Sequence, residues 1–312
     1  MSLVDKWIVY CADPVGSHTV PPHDLPPQLA GRLVDQAESH RVLGAVLQNF
    51  PGFRQDGPFA AHWKSARDRN RANVAFSLML THEADTLVEK LDGLRATVVK
   101  GPTFAKKLYP SPTLRTFSDI DVLIDVDDQV EVERILKGLG YHLAEASQHE
   151  FKWLSGANEQ VMVEVQTDLV HAESLRRGMS LSYGSIAQSP DSSASLLIIA
   201  VVHGAGHQYE YLQHLVDICQ AARFLKPTDE AELDRLLAAT NARFATLVSL
   251  LFAGRIFGED RCNVLAREIG STPLHKLAAS LLDQTVIMST TDQRRASYNW
   301  RRQAFRLLLR NS

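Results

Sequence analysis

Toward both ends of the chain apolar residues recur every three or four positions, whereas in the middle they alternate or cluster in short runs. Residues 28–49 carry Leu29, Leu33, Val42, Leu43, Val46 and Leu47, and residues 59–92 carry Phe76, Leu78, Leu80, Leu87, Val88 and Leu91, at helical spacing. Before them, Pro14, Pro21, Pro22, Pro26 and Pro27 predict an irregular lead-in over residues 11–27. The period then changes. Residues 97–100, 119–126 and 161–168 read as strands, with a short helix from Thr103 to Leu108 and a longer one from Gln129 to Leu139, ended by Gly138 or Gly140. Tyr141 to Phe151 predicts one more strand, and Ser-rich residues 185–195 a linker. Residues 196–225, 228–257 and 262–310 return to helical spacing. The expectation is an α+β protein in which a small mixed sheet carries the chemistry. It divides into an N-terminal helical region with its lead-in (1–85), a core (86–184) and a C-terminal helical domain (185–312).

Asp119 and Asp121 stand two apart at the head of the apolar run Ile120, Val122, Leu123, Ile124. Side chains alternate faces along a strand, so the two carboxylates point the same way. Like charges held side by side repel unless a cation lies between them. Magnesium suits such a pair, because it takes one or two carboxylates and completes its shell with water and phosphate oxygens. Glu164, in Val161-Met162-Val163-Glu164-Val165-Gln166-Thr167-Asp168, adds a third acid on a strand face shared with Gln166 and Asp168. Two aspartates and a later acid are the equipment of metal-assisted phosphoryl or nucleotidyl transfer, the third being placed to take the proton from an attacking hydroxyl.

The ordered set Lys100-Gly101, Tyr109-Pro110, Leu114-Arg115, Asp119-Ile120-Asp121 and Glu164 resembles the nucleotidyltransferase superfamily of the DNA polymerase β type. More narrowly, it resembles the family of uncharacterised nucleotidyltransferases. The likeness runs from about residue 30 to about 225, taking in His40-Arg41-Val42 and the later Leu196-Leu197, His203, His207, His214-Leu215 and Asp217. It implies transfer of a nucleoside monophosphate from an NTP to an acceptor hydroxyl, with Mg2+ (or Mn2+) on Asp119, Asp121 and Glu164. Lys100, Gly101, Arg115 and Ser118 would bind the nucleotide, and His203 and His207 would line the acceptor side. Family members often have His two residues after the third acid; here Gln166 takes that place, and Asp168 competes as the third carboxylate.

Lys100 and Arg115 suit a triphosphate, lysine as a point charge and arginine as a two-pronged donor. Gly101-Pro102 supplies a turn into a short helix whose free amides could face phosphate. No P-loop pattern and no G-x-G-x-x-G after a strand occurs. Two other readings compete. One is a decayed core that binds nucleotide or a partner without turnover, suggested by Gln166. The other is a metal hydrolase on His203, His207 and Asp217, since histidines four apart stack on one helix face. The pair lacks the Glu of H-E-x-x-H, and buried histidines between helices are commonly packing residues.

Composition narrows the partners. A net charge of -3 argues against a surface that grips nucleic acid broadly, and tilts the acceptor toward a small molecule or a protein. The clusters around Lys64 to Arg71 and Arg294-Arg295 with Arg301, Arg302, Arg306 and Arg310 remain local; the last is expected to dock an amphipathic helix on the core. No apolar run nears the ~20 residues of a membrane span. The separated cysteines Cys11, Cys219 and Cys262, with no charged-then-apolar leader, fit a reducing cytoplasm.

Overall fold

The computed structural model of the protein describes residues 2–16, 20–52, 57–155, 160–170, 172–176, 178–289 and 299–310; Arg294 and Arg295 lie outside these. Strands β1 (Ala96–Val99), β2 (Ile120–Ile124), β3 (Tyr141–Ala146), β4 (Glu150–Ser155) and β5 (Met162–Gln166) form a mixed sheet in the order β1-β2-β5-β4-β3. Only β2 and β5 pair in parallel, across a connection that contains a helix and the β3–β4 hairpin. Their register sets Asp121 beside Glu164, while β1 sets Val99 beside Asp121 and β4 sets Lys152 beside Glu164.

The helices that precede the sheet are α1 (Leu3–Ala12), α2 (Ala30–Ser39), α3 (Leu43–Asn49) and α4 (Ala60–Lys90). Within the sheet region lie α5 (Gly101–Lys107) and α6 (Gln129–Gly138). After it come α7 (Glu173–Arg176), α8 (Tyr183–Ile186), α9 (Ser193–Gly206), α10 (Leu212–Phe224), α11 (Glu230–Thr240), α12 (Arg243–Phe257), α13 (Asp260–Ile269), α14 (Pro273–Leu281), α15 (Gln284–Met288) and α16 (Asn299–Arg310). No helix among the described residues is long and apolar enough to cross a membrane.

Two cores result. On one face of the sheet Ile120, Val122, Ile124, Trp153, Val163 and Val165 pack against Leu80, Ala84 and Leu87 of α4 and Val132 and Leu136 of α6. The larger core joins α1–α3 to α9–α13, and Leu123, from the opposite face of β2, belongs to it. Helix α9 runs through its centre because Leu196 to Val202 is apolar on every side and fully buried. Each Leu, Ile or Val so buried contributes about 1.5–3 kcal/mol of transfer free energy.

Several elements depart from the sequence expectation, each for a local reason. Helix α1 was not anticipated; it is apolar nearly all round, so it shows no amphipathic stripe, and Ser2 and Asp5 cap its start reciprocally. The single strand expected over residues 141–151 is the first arm of a hairpin whose turn, Ser147-Gln148-His149, lacks the usual Gly or Pro. The serine-rich linker ends in a cap: Ser192 accepts from the Ser195 amide and starts α9. The long helical run over 196–225 breaks at Gln208 and Tyr209, both at φ 52°. Helix α16 docks as expected, burying Phe305 and Leu309 while Arg302 donates to the carbonyls of Gln208 and Val286.

Candidate active site

The face of the sheet turned away from α4 ends in a cavity of about 390 Å³. Its floor is the ends of β1, β2, β4 and β5, which present Lys100, Asp119, Asp121, Glu150, Lys152 and Glu164. Asp119 sits just before β2 and is half-buried, whereas Asp121 is 5% exposed. The Lys100 Nζ lies 2.6 Å from Asp121 Oδ1. Gln166 donates from Nε2 to the same Oδ1 at 3.0 Å and to Glu164 Oε2 at 3.3 Å, so it bridges the two acids from below. Gly101 is needed beside them: a Cβ there would meet the Phe117 ring at 3.2 Å.

Arg115 is committed elsewhere. Its Nε and Nη2 donate to Asp217 Oδ1 and Oδ2 at 2.8 and 2.9 Å, its Nη1 donates to the Gly101 carbonyl at 3.2 Å, and Tyr109 donates its hydroxyl to Asp217. The pair is almost wholly buried, which demands this full satisfaction. Arg115 thus locks the turn after Lys100 to helix α10 and reaches the cavity as part of its wall. Asp217 is correspondingly held away from His203 and His207, and the hydrolase grouping of those three is not assembled. Asp168 likewise leaves the acid cluster: its carboxylate accepts from the amides of Val170 and Leu181 and from the Ser180 hydroxyl, which pins the chain after β5.

Opposite the acids stands a wall from α9 and α10. His203, His207 and His214 gather there with ring centroids 4.7, 4.9 and 5.6 Å apart. Gly204 permits the approach, since a Cβ would meet Ile218, Tyr209 and His214 at 3.3–3.4 Å. His214 is buried with its Nδ1 lacking a hydrogen-bond partner. Arg41 closes the rim, its guanidinium 4.4 Å above the Tyr211 ring, and Phe117 and Arg41 continue into a side cavity of about 150 Å³ that includes Ser118. Ser118 lines that side cavity rather than the main one. Four of the five non-glycine residues with positive φ among the described residues lie in or next to this site: Arg41, Lys100, Gln208 and Tyr209. Such backbone costs of order 1–3 kcal/mol apiece and clusters where function over-determines it.

Floor and wall carry opposite electrostatic strain. Burial, then the charges of Asp121 and Asp119, push Glu164 up to about 8. Burial and Asp121 raise Asp119 as well, against the pull of Lys100, Arg41 and Arg115. On the wall, burial first and then Lys100 hold His203 well below the usual imidazole range; burial and His207 do the same for His214. The floor is short of positive charge, and on the wall burial holds His203 and His214 in the neutral form.

A family model described as uncharacterised nucleotidyltransferase matches residues 26–258. The chain belongs to that family. No curated protein and no solved structure matches it. The matched stretch contains every residue of the cavity and leaves out α1 and the helices from α13 onward. Family membership supports nucleotidyl transfer as the general activity of this nucleotidyltransferase. The structure brings Lys100, Gly101, Arg115, Asp119, Asp121, Glu164, His203 and His207 to one cavity. Arg41, Lys152, Tyr211 and Gln213 join them without having been singled out as site residues; Arg41 was visible in His40-Arg41-Val42, whereas the others carry no sequence signal of their own. Among the described residues no three His, Cys, Asp or Glu side chains are gathered so as to enclose an ion by themselves. The donor set at Asp119 and Asp121 nevertheless fits magnesium, whose usual site is one or two carboxylates completed by water and substrate phosphates.

Proposed function

We propose that the cavity transfers a nucleoside monophosphate from an NTP to an acceptor hydroxyl with Mg2+ or Mn2+, releasing pyrophosphate. The observation that carries this reading is the β2–β5 register, which sets Asp121 beside Glu164, next to Asp119 and Lys100, in the mouth of one cavity. Asp119 and Asp121 would hold the metal. When bound, it supplies charge neutralisation on the phosphates and polarises the phosphorus under attack. Arg41, whose guanidinium makes no ion pair among the described residues, and Lys100, once it leaves Asp121, are the cations placed to meet the triphosphate. Arg115 is a positioning residue that fixes Gly101 and hence the place of Lys100.

Glu164 is the proton acceptor for the incoming hydroxyl. Its pKa of about 8 lets it exchange a proton near neutrality, and Gln166 Nε2 keeps its Oε2 oriented. The imidazoles of His203, His207 and His214 face the acids across the cavity and would contact the acceptor, for which a small molecule or a protein side chain is the favoured class. Gln166 does the bridging at the place where family members carry His, so its presence is compatible with an intact site.

The test is incubation with each α-labelled NTP and Mg2+ or Mn2+, with candidate acceptors, read as labelled product. A thermal-shift series on the same nucleotides reports binding independently. Asp119→Asn should remove transfer while preserving the melting temperature. Nucleotide-dependent stabilisation without labelled product under any condition would favour the decayed, binding-only reading.

A further inference from the structure

Lys100 makes a contact that a simple phosphate-binding lysine would not make. The residue is 4% exposed, and its ammonium lies 2.6 Å from Oδ1 of Asp121, itself 5% exposed. The same oxygen accepts from Gln166 Nε2. A magnesium ion needs an approach of about 2.0–2.1 Å to a carboxylate oxygen. An ammonium and a divalent cation on one buried carboxylate repel each other, so each binds less well while the other is present. With Lys100 and Gln166 both on Oδ1, a metal at Asp121 gains if Lys100 moves away.

The backbone favours movement of Lys100. The residue stands at φ 56° and ψ −124°, a conformation suited to glycine, between the end of β1 and the start of α5. Strain of this kind persists only where surrounding contacts impose it. Here the Lys100 carbonyl accepts from the Phe104 amide at 2.7 Å as the cap of α5, and the side chain is held by the ion pair with Asp121 on the neighbouring strand, where Val99 is paired to Asp121 in register. Asp121, in contrast, is fixed within β2 and held from two sides. Lys100 has open cavity in front of it, lined also by His203 and Arg41.

Resting on the transferase reading above, the geometry points to Lys100 as a stand-in cation: it neutralises Asp121 until a divalent ion arrives with the nucleotide, and is then released to the phosphates. The exchange couples the two ligands. Metal alone must displace an ammonium and so binds weakly, whereas metal with an NTP offers the displaced ammonium a new anion. The nucleotide-free protein thereby avoids a cluster of uncompensated buried carboxylates, and a metal-loaded but nucleotide-free site is disfavoured.

The test is Mn2+ binding to the nucleotide-free protein by calorimetry or by the loss of the free-ion electron paramagnetic resonance signal. Lys100→Met removes the charge at similar length. Lys100→Gln keeps an amide donor for Asp121 and serves as the second variant, with melting curves confirming that each folds. Removing the competing ammonium should tighten Mn2+ binding at least ten-fold in Lys100→Met and by a smaller factor in Lys100→Gln, and Asp121→Asn should abolish it in every background. With a non-hydrolysable NTP analogue present, Lys100→Met should weaken nucleotide affinity at least ten-fold. Mn2+ binding that depends on Asp121 yet is unchanged or weaker in both lysine variants overturns the exchange while leaving the transferase reading standing. Absence of Mn2+ binding in every variant, with or without nucleotide, overturns both.

Discussion

The floor and the helical wall of the cavity both bury titratable groups, but they assemble them by different means. On the floor, Asp119 and Asp121 share a face by strand alternation, and one parallel register brings Glu164 beside them. On the wall, His203 and His207 lie a helical turn apart, and His214 arrives from the next helix across a contact that Gly204 makes close. The floor therefore concentrates like charge, which burial makes worse and which the Lys100 ammonium on Asp121 offsets in part. On the wall, burial instead keeps the imidazoles of His203 and His214 neutral. In the proposed transfer the floor would receive the metal–nucleotide and the wall the acceptor hydroxyl.

The Arg115–Asp217 pair joins the two sides, so breaking it should have the largest effect on stability. Asp217→Ala leaves a buried guanidinium without its carboxylate and should cost about 3–5 kcal/mol in chemical denaturation. A cost under about 1 kcal/mol would mean that floor and wall are not coupled through this pair.

The pH dependence separates the two sides more finely. Glu164 has a folded pKa raised to about 8 from an ordinary 4.5, so the folded protein binds more protons than the unfolded chain between those values. Its contribution is fully present below about pH 4.5 and is lost as pH rises to about 8. Glu164→Gln should accordingly raise the melting temperature of the metal-free protein at pH 8 and leave it unchanged near pH 4. The histidines act with the opposite sign. Their folded pKa values lie below 6.5, so stability is lost as pH falls below about 6.5 toward those depressed values. His214→Leu should flatten that acid limb, and at pH 8 should change stability by less than about 1.5 kcal/mol, since it exchanges a buried ring with an unpartnered Nδ1 for an apolar side chain of comparable size. An acid limb as steep as that of the wild type would remove His214 from the account of the wall.

The smallest effect is expected where charge is exposed. Lys106 and Asp85 form an ion pair on the surface between α4 and α5, and Lys106→Ala should change stability by less than about 1 kcal/mol. A larger loss would show that ion pairs far from the cavity contribute on the same scale as those within it.

How far the site could be read from the chain follows the same division. Asp119, Asp121, Glu164 and Lys100-Gly101 were legible because strand alternation and short-range motif spacing are local properties. The choice between Glu164 and Asp168 was not, because both share a strand parity; the strand ends at Gln166 and the Asp168 carboxylate turns to the backbone of the loop beyond it. Arg115 was legible as a cation near the site, but its partner stands 102 residues later, and only packing shows that its donors are already used. Helix α1 escaped notice because apolar residues cover most of its circumference and leave only a narrow exposed face at Lys6, too little to mark an amphipathic helix.

The sequence by itself determined the α+β character and the placement of the acids on strands, which rest on residue type and local spacing, and the kinship that names the general chemistry, which rests on an ordered set of short motifs. The tertiary structure decided which charges are free and which are spent. Lys100 on Asp121, Arg115 on Asp217, Asp168 in its loop and the three histidines in one wall are contacts between segments that sequence spacing leaves independent. Burial sets the energy of each, and burial belongs to the folded chain as a whole.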